Sequence, residues 1–121
     1  MYDENMVLCA SSAYERKYYF NSDFDSLPDE VKDELHIMCV LFTEEAGGII
    51  TLRFDENGSL LIETDADEGD LLYDDIACGL LIKRIQKEKR QLLESIELYY
   101  KVFFLGEDID LDGREGEPDN E

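Results

Sequence analysis

GIITLRFDENGSLLIETD, residues 48–65, decides the fold of this chain. Two runs rich in aliphatic and β-branched residues flank Asp55-Glu56-Asn57-Gly58, an order that predicts a β-hairpin with a type I turn and glycine at the bulge position. The predicted register pairs Phe54 with Leu60, Leu52 with Ile62, and Ile50 with Thr64. This register gathers the large apolar side chains on one face, whereas a slip by one residue would scatter them. A hairpin alone is marginal in water, so we expect a helix to cover that face.

The residues before the hairpin predict a helix from about 27 to 45. Ser26 is expected to be its N-cap, with Pro28 in the first turn and Asp29 completing an acidic capping box. Gly47 and Gly48 predict its end through a left-handed cap. Apolar residues recur at helical spacing at Val31, Leu35, Met38 and Phe42. The later half, residues 37–42, is apolar all round, so we expect that half to be deeply buried.

A second helical pattern runs from about Asp74 to Leu105, with Gly106 as its expected C-terminal cap. Its apolar stripe consists of Ile82, Ile85, Leu92, Ile96, Tyr99 and Phe103. A single helix of about 30 residues would be roughly 45 Å long, which exceeds the width of a compact domain of this size. We therefore expect this long helix to kink, to project, or to find a partner, with Gly79 as its weak point.

The two ends of the chain differ in character. Residues 6–13 are small and apolar while residues 18–20 favour a strand, so we predict a short helical or extended N-terminal segment. Residues 106–121 hold eight acids and one base with little to bury, which predicts a disordered acidic tail. The predicted fold class is thus α+β: a helix, a β-hairpin and a long C-terminal helix in one domain over residues 1–105.

The charge balance is the most unusual bulk property. The 121 residues include 31 Asp and Glu against 11 Lys and Arg, for a formal net charge of −20. Such a field repels phosphate backbones and anionic lipid surfaces, so we expect neither direct nucleic-acid binding nor membrane binding. Cys9, Cys39 and Cys78 are odd in number and far apart, which is typical of reduced thiols in the cytoplasm. The acidic start of the chain and the lack of a long uncharged apolar run also favour a cytoplasmic protein.

Several patterns resemble functional sites without completing one. Asp108, Asp110, Asp112 and Gly113 begin a calcium-loop pattern, but the twelfth position is Asp119 in place of glutamate, so we attribute the string to composition. The seven acids of residues 63–75 are interpreted as a solvated linker and a helix amino terminus rather than an acid–base pair or magnesium site.

The nucleophile candidates are similarly weak. His36 and Cys39 share a helical face and could make an activated thiolate or half a metal site, but zinc would need two more ligands. We therefore interpret Cys39 as a core residue. Ser11 and Ser12 lack the glycine-flanked turn of a hydrolase. The sequence accordingly predicts no catalytic, metal-binding or cofactor-binding residues and no cofactor.

Two further groups of side chains could contact a partner. A basic group on the long helix consists of Lys83, Arg84, Lys87, Lys89 and Arg90. It could grip an acidic partner, although pairing with acids of the same chain or of a second copy is the favoured interpretation. An aromatic group consists of Tyr99, Tyr100, Phe103 and Phe104. It could line an interface, but helical spacing is more typical of core residues.

Three segments carry a resemblance to a known family. They are VLCASSAYERKYYFN (7–21), VKDELHIMCVLFTEEAGGIITLRFDENG (31–58) and LLESIELYYKVFFLGED (92–108). The chain resembles a family of small acidic proteins from anaerobic Gram-positive bacteria that is known only as a domain of unknown function. The resemblance implies a bacterial cytosolic origin and a single compact domain, and it implies no activity and no site residues.

Three functional hypotheses follow. The first is a non-enzymatic interaction or regulatory module, with a protein partner and a homodimer formed through the long helix. The second is an acidic mimic of nucleic acid that inhibits a nucleic-acid-binding protein, which rests on charge alone. The third and weakest is a metal-dependent enzyme that uses the carboxylates of residues 63–75.

Overall fold

The computed structural model describes residues 6–106. Its strands are β1 (Val7–Ser12), β2 (Lys17–Phe20), β3 (Ile49–Phe54) and β4 (Leu60–Asp65). Its α-helices are α1 (Asp29–Ala46), α2 (Asp75–Glu88) and α3 (Arg90–Phe103). The mixed α+β class is therefore confirmed. None of the helices in this part of the chain combines the length and the apolar character needed to cross a bilayer.

The four strands form one antiparallel sheet in the order β2-β1-β3-β4. The predicted hairpin register is confirmed at all three pairs: Phe54 with Leu60, Leu52 with Ile62, and Ile50 with Thr64. Its turn depends on Gly58, which has φ 88° and donates its N–H to the Asp55 carbonyl at 3.0 Å. The Asp55 carboxylate also accepts the Asn57 and Ser59 N–H groups, so this side chain fixes the turn.

The N-terminal segment is a second hairpin, formed by β1 and β2. The helical alternative predicted for this segment is wrong. The extended alternative is right in kind, but it did not predict two paired strands. β1 is an interior strand, because it pairs with β3 as well as β2. The side chains of Cys9 and Ser11 lie beneath α1 and are buried. Small residues there let the helix approach the sheet closely.

The bounds of α1 lie close to the prediction, but its caps differ. Pro28, not Ser26, is the N-cap, and no side chain caps this end. The Ser26 hydroxyl instead hydrogen-bonds the Tyr99 hydroxyl, which takes it away from the helix terminus. Gly47 ends the helix as predicted and has positive φ (81°), but its ψ of −169° lies outside the left-handed helical region that the prediction gave.

The predicted long C-terminal helix is two helices of 14 residues each. The break is at Lys89, with φ −108° and ψ 20°, whereas Gly79 lies inside α2. α2 packs against α1, while α3 reaches the edge strand β4. A single straight helix could not contact both α1 and β4. The bend at Lys89 therefore lets residues 75–103 pack within the domain, where one helix of that length would not fit.

All three helices lie on one face of the sheet. The alternate β3 side chains Ile50, Leu52 and Phe54 face the helices and are fully buried. The neighbours Thr51 and Arg53 point to the opposite face, which no helix covers among the described residues. The fold therefore has two layers, with its core between the sheet and the helices.

Candidate functional site

A groove of about 270 Å³ runs between α1 and α2. Its floor consists of Met38, Phe42, Leu81 and Ile85. The two helices are antiparallel, since Lys89 lies 3.7 Å from Glu34 at one end and the Asp74 N–H donates to the Ala46 carbonyl at the other. The groove thus extends along most of both helices.

Apolar side chains on the outer side of this groove remain exposed. Ile37 and Leu41 on α1 are 59% and 55% exposed, and Leu80 on α2 is 64% exposed. The expectation that residues 37–42 are deeply buried is therefore wrong for Ile37 and Leu41. The helix has more apolar residues than its one buried face can accommodate. We call the surface formed by Ile37, Leu41, Leu80 and the groove the α1–α2 face.

Charged side chains border the α1–α2 face on both helices. On α1, Glu34 and Glu45 line the groove and are exposed. On α2, Arg84 and Glu88 line the groove and are exposed, and Lys89 pairs with Glu34 across it at 3.7 Å. Charges of both signs therefore border an apolar floor.

The predicted basic group is divided by the fold. Lys83, Arg84 and Lys87 are exposed. Lys89 is half-buried and pairs with Glu34, and Arg90 pairs weakly with Glu94 at 4.0 Å. Pairing with acids of the same chain is thus confirmed for Lys89 and Arg90.

His36 and Cys39 do not form the active pair that their spacing suggested. The His36 ring is exposed and stacks on Tyr18 with centroids 4.3 Å apart. The Cys39 thiol is fully buried and lies 3.8 Å from the thiol of Cys9. The hydrogen bond with Cys9 and the burial both raise the pKa of Cys39, so this thiol stays protonated. The interpretation of Cys39 as a core residue is confirmed.

A second concave region, of about 780 Å³, lies between the β1–β2 turn, α1 and the acidic loop after β4. Two of its hydroxyl groups are engaged within the fold: Ser11 and Thr43 hydrogen-bond each other at 3.0 Å, and Thr43 also donates to the α1 backbone. At its rim the Tyr14 hydroxyl donates to Asp70 at 2.5 Å. This bond lowers the pKa of Asp70 and raises that of Tyr14. These contacts hold the loop in place.

Three of the seven acids of residues 63–75 make contacts that stabilise the fold. Asp74 caps α2 by accepting the Ala77 N–H at 3.0 Å, and Glu63 pairs with Arg53 at 2.9 Å. Asp70 holds Tyr14, as described above. Within residues 6–106, no three His, Cys, Asp or Glu side chains are grouped as a metal ion would require. The calcium-like string from Asp108 onward lies outside the described residues.

The aromatic group splits between core and surface. Tyr100 is buried and stacks on Phe54 with centroids 3.9 Å apart. Tyr99 is half-buried, whereas Phe103 is 72% exposed. The core interpretation is therefore right for Tyr100 and wrong for Phe103.

Sequence reasoning missed the α1–α2 face itself. The available signal was the pair Ile37 and Leu41, which are four residues apart and lie off the stripe of Leu35, Met38 and Phe42. Their position beside α2 could not be seen, because it depends on the antiparallel packing of two helices that are about 40 residues apart in sequence.

Comparison with known proteins adds the family and nothing more specific. No curated protein and no solved structure has significant similarity to the chain. The family of unknown function DUF6145 matches residues 5–108. This range includes all of the α-helices and strands described above. The chain therefore belongs to the family of unknown function DUF6145.

Proposed function

We propose that this protein is a non-enzymatic protein-interaction module that binds its partner through the α1–α2 face. The observation that carries the proposal is the exposure of Ile37 and Leu41, which line the groove, and of Leu80, which precedes the groove residue Leu81. Single exposed apolar residues are ordinary on a protein surface, but a contiguous group next to a groove is typical of an interaction site.

The energetic gain from covering this face is substantial. Complete burial of a leucine or isoleucine side chain contributes about 1.5–3 kcal/mol relative to exposure, and these three are more than half exposed. Together they would contribute roughly 3–5 kcal/mol, against which the loss of translational and rotational freedom must be set. Burial of these three side chains alone therefore supports at most a weak, reversible contact.

The free thiols support a cytoplasmic location for this module. Cys9 and Cys39 lie 3.8 Å apart as free thiols. Thiols this close persist where glutathione and thioredoxin keep them reduced, and oxidising compartments favour disulfides. We therefore propose a cytoplasmic location.

The acidic-mimic hypothesis stays a prediction that rests on net charge. A mimic of DNA needs carboxylates arrayed on a continuous surface. On the helical layer, the exposed base Arg84 lines the same groove as Glu34 and Glu45. That juxtaposition favours a contact with both signs of charge.

The test compares two pairs of surface leucine or isoleucine replacements. Ile37→Ser with Leu41→Ser removes apolar area from the α1–α2 face. Leu71→Ser with Leu72→Ser is the matched control, because these side chains are 95% and 91% exposed in the acidic loop. Each protein is immobilised, and the proteins retained from native lysate, together with any self-association, are measured.

The proposal predicts that the Ile37→Ser, Leu41→Ser protein loses retained proteins or self-association that the Leu71→Ser, Leu72→Ser control keeps. Circular dichroism should show an unchanged fold for both variants. Equal retention by all three proteins would remove the α1–α2 face as the binding site. A wild-type protein that neither retains a protein nor self-associates would overturn the interaction module altogether.

A further inference from the structure

We infer that Cys9 and Cys39 form a reversible disulfide when the protein meets a hydroperoxide, and that this bond ties helix α1 to strand β1. The pair is a modification site, in addition to the proposed interaction function. Cys9 lies on the interior strand β1, and Cys39 lies within α1. Both thiols are free. Where the surroundings are reducing, disulfides that form transiently are typically redox-sensing or catalytic.

The separation of the two sulfur atoms is the main support for this site. They lie 3.8 Å apart, and a disulfide bond is about 2.05 Å long, so they must approach by roughly 1.8 Å. Rotation about the Cα–Cβ bonds of two short side chains, with a small shift of α1, can supply a displacement of this size. The third cysteine, Cys78, lies on α2 and its sulfur accepts a hydrogen bond from the Tyr73 hydroxyl at 3.1 Å. Cys9 and Cys39 are therefore the natural pair.

The two thiols have different roles because their surroundings differ. The hydrogen bond from Cys39 lowers the pKa of Cys9, burial opposes that shift, and the Tyr18 hydroxyl adds to it. The pKa of Cys39, which donates the hydrogen bond, is raised as described above. Cys9 therefore loses its proton more readily, and the thiolate is the form that attacks a peroxide. Cys39 is then the thiol that completes the disulfide.

Access to the buried Cys9 thiol passes the edge strand β2. Both cysteine side chains are fully buried, and the half-buried Tyr18 on β2 reaches the Cys9 thiol with its hydroxyl group. Tyr18 also stacks on the exposed His36 ring and lines the concave region of about 780 Å³. β2 has four residues and, in the described sheet, pairs with β1 alone. Local opening of this edge moves Tyr18 aside and admits a small oxidant.

The reaction balances with one molecule of hydrogen peroxide. The Cys9 thiolate attacks one peroxide oxygen and the O–O bond breaks, which leaves a sulfenic acid on Cys9. The released hydroxide takes up the proton that Cys9 lost and becomes water. The Cys39 sulfur then attacks the Cys9 sulfur: the S–S bond forms, the S–OH bond breaks, and the Cys39 proton joins the leaving hydroxide as a second water. Both sulfur atoms are oxidised and the peroxide is reduced.

A dithiol reverses the reaction. Its thiolate attacks the Cys9–Cys39 bond and forms a mixed disulfide, which its second thiol resolves. Both cysteine thiols are restored, and the dithiol is itself oxidised to a disulfide. The modification is therefore a switch between two covalent states of one chain.

The test treats the folded full chain with hydrogen peroxide and maps the products by mass spectrometry under non-reducing conditions. The wild type should lose the mass of two hydrogen atoms and two of its three free thiols, which are counted after denaturation. Proteolysis should yield one cross-linked pair of peptides that joins Cys9 to Cys39. Dithiothreitol should restore both thiols.

Three single variants separate the roles of the cysteines, with circular dichroism as the check of each fold before oxidation. Cys78→Ser is the matched control and should form the same disulfide as the wild type. Cys39→Ser lacks the second thiol, so it should accumulate a sulfenic acid on Cys9 that dimedone traps. Cys9→Ser keeps only the thiol of raised pKa from the pair, so dimedone labelling at Cys39 should be lower by about tenfold or more.

Two results overturn the disulfide site. One is a folded wild type whose thiols all survive a peroxide treatment that oxidises the same protein in urea. The other is a cross-link that involves Cys78 in place of Cys9 or Cys39. The wild-type and Cys78→Ser maps decide the question even where a variant of the buried pair fails to fold.

Discussion

The two ends of the helical layer are built differently. At the α3 end, which we call the aromatic base, Tyr100 stacks on Phe54 at 3.9 Å and Phe24 packs against both rings. At the other end, the α1–α2 face leaves Ile37 and Leu41 more than half exposed above a groove. The difference teaches that stability is concentrated where α3 closes the core, while α1 keeps apolar surface that the folded monomer does not use.

Truncation of the aromatic base should have the largest effect. Tyr100→Ala removes a ring that is 3% exposed and leaves a cavity beside Phe54, which should lower the free energy of unfolding by about 3–5 kcal/mol. Urea denaturation measures this change. Tyr100→Phe keeps the ring and loses the hydroxyl, which donates to the Met6 sulfur, so its effect should be below about 1.5 kcal/mol. Equal losses for both variants would show that stacking does not dominate this end.

Loss of the hydrogen bond between α3 and the sheet should have the next-largest effect on stability. The Glu97 carboxylate accepts the backbone N–H of Leu60 at 2.7 Å on the edge strand β4. Glu97→Ala leaves this donor without its partner and should cost about 1–2 kcal/mol of unfolding free energy. Glu94→Ala, on the same helix but exposed, is the control and should change stability by less than about 0.5 kcal/mol. Amide hydrogen exchange at Leu60 should accelerate only in the first variant.

The cap of α2 tests the opposite end of the layer. Asp74→Ala removes the acceptor for the Ala77 N–H and should lower the unfolding free energy by about 1 kcal/mol. Asp75→Ala keeps the cap and removes only a charge in the first helical turn, which should cost about 0.3–1 kcal/mol at low salt. Thermal melts in low and high salt separate the two, because the cap hydrogen bond persists when charge is screened.

The smallest effect on stability is expected on the α1–α2 face. Ile37→Ser with Leu41→Ser alters side chains that make few contacts in the monomer, so the unfolding free energy measured on dilute protein should change by less than about 1 kcal/mol. A loss as large as that of Tyr100→Ala would show that both ends support the fold equally, and the comparison above would fail.

Much of the sheet was predictable because its signals are local. The turn at Asp55 and Gly58, together with the alternation of Ile50, Leu52 and Phe54, specified the register of one hairpin to the residue. The first hairpin was not resolved, because Cys9 and Ser11 are small and their strand character depends on pairing with β3 about 40 residues later. Strand pairing of this range leaves no local pattern.

The helices show the same limit. The excess length of residues 74–105 correctly indicated that a single straight rod was impossible, yet Lys89 offers no helix-breaking chemistry that would have located the bend. Its position is set by what α2 and α3 each contact. The candidate site was hidden for a related reason, since Ile37 and Leu41 look like core residues until the fold shows which side of α1 is covered.

The edges of the sheet bear on how the protein behaves in concentrated solution. β4 is an edge strand, and an open edge is a template for adding a strand from another molecule. Glu63 and Asp65 place carboxylates along this edge, and Glu97 occupies one of its backbone donors. Negative charge therefore keeps edges of neighbouring molecules apart. Colloidal stability is therefore tied to the charge that this sheet edge carries.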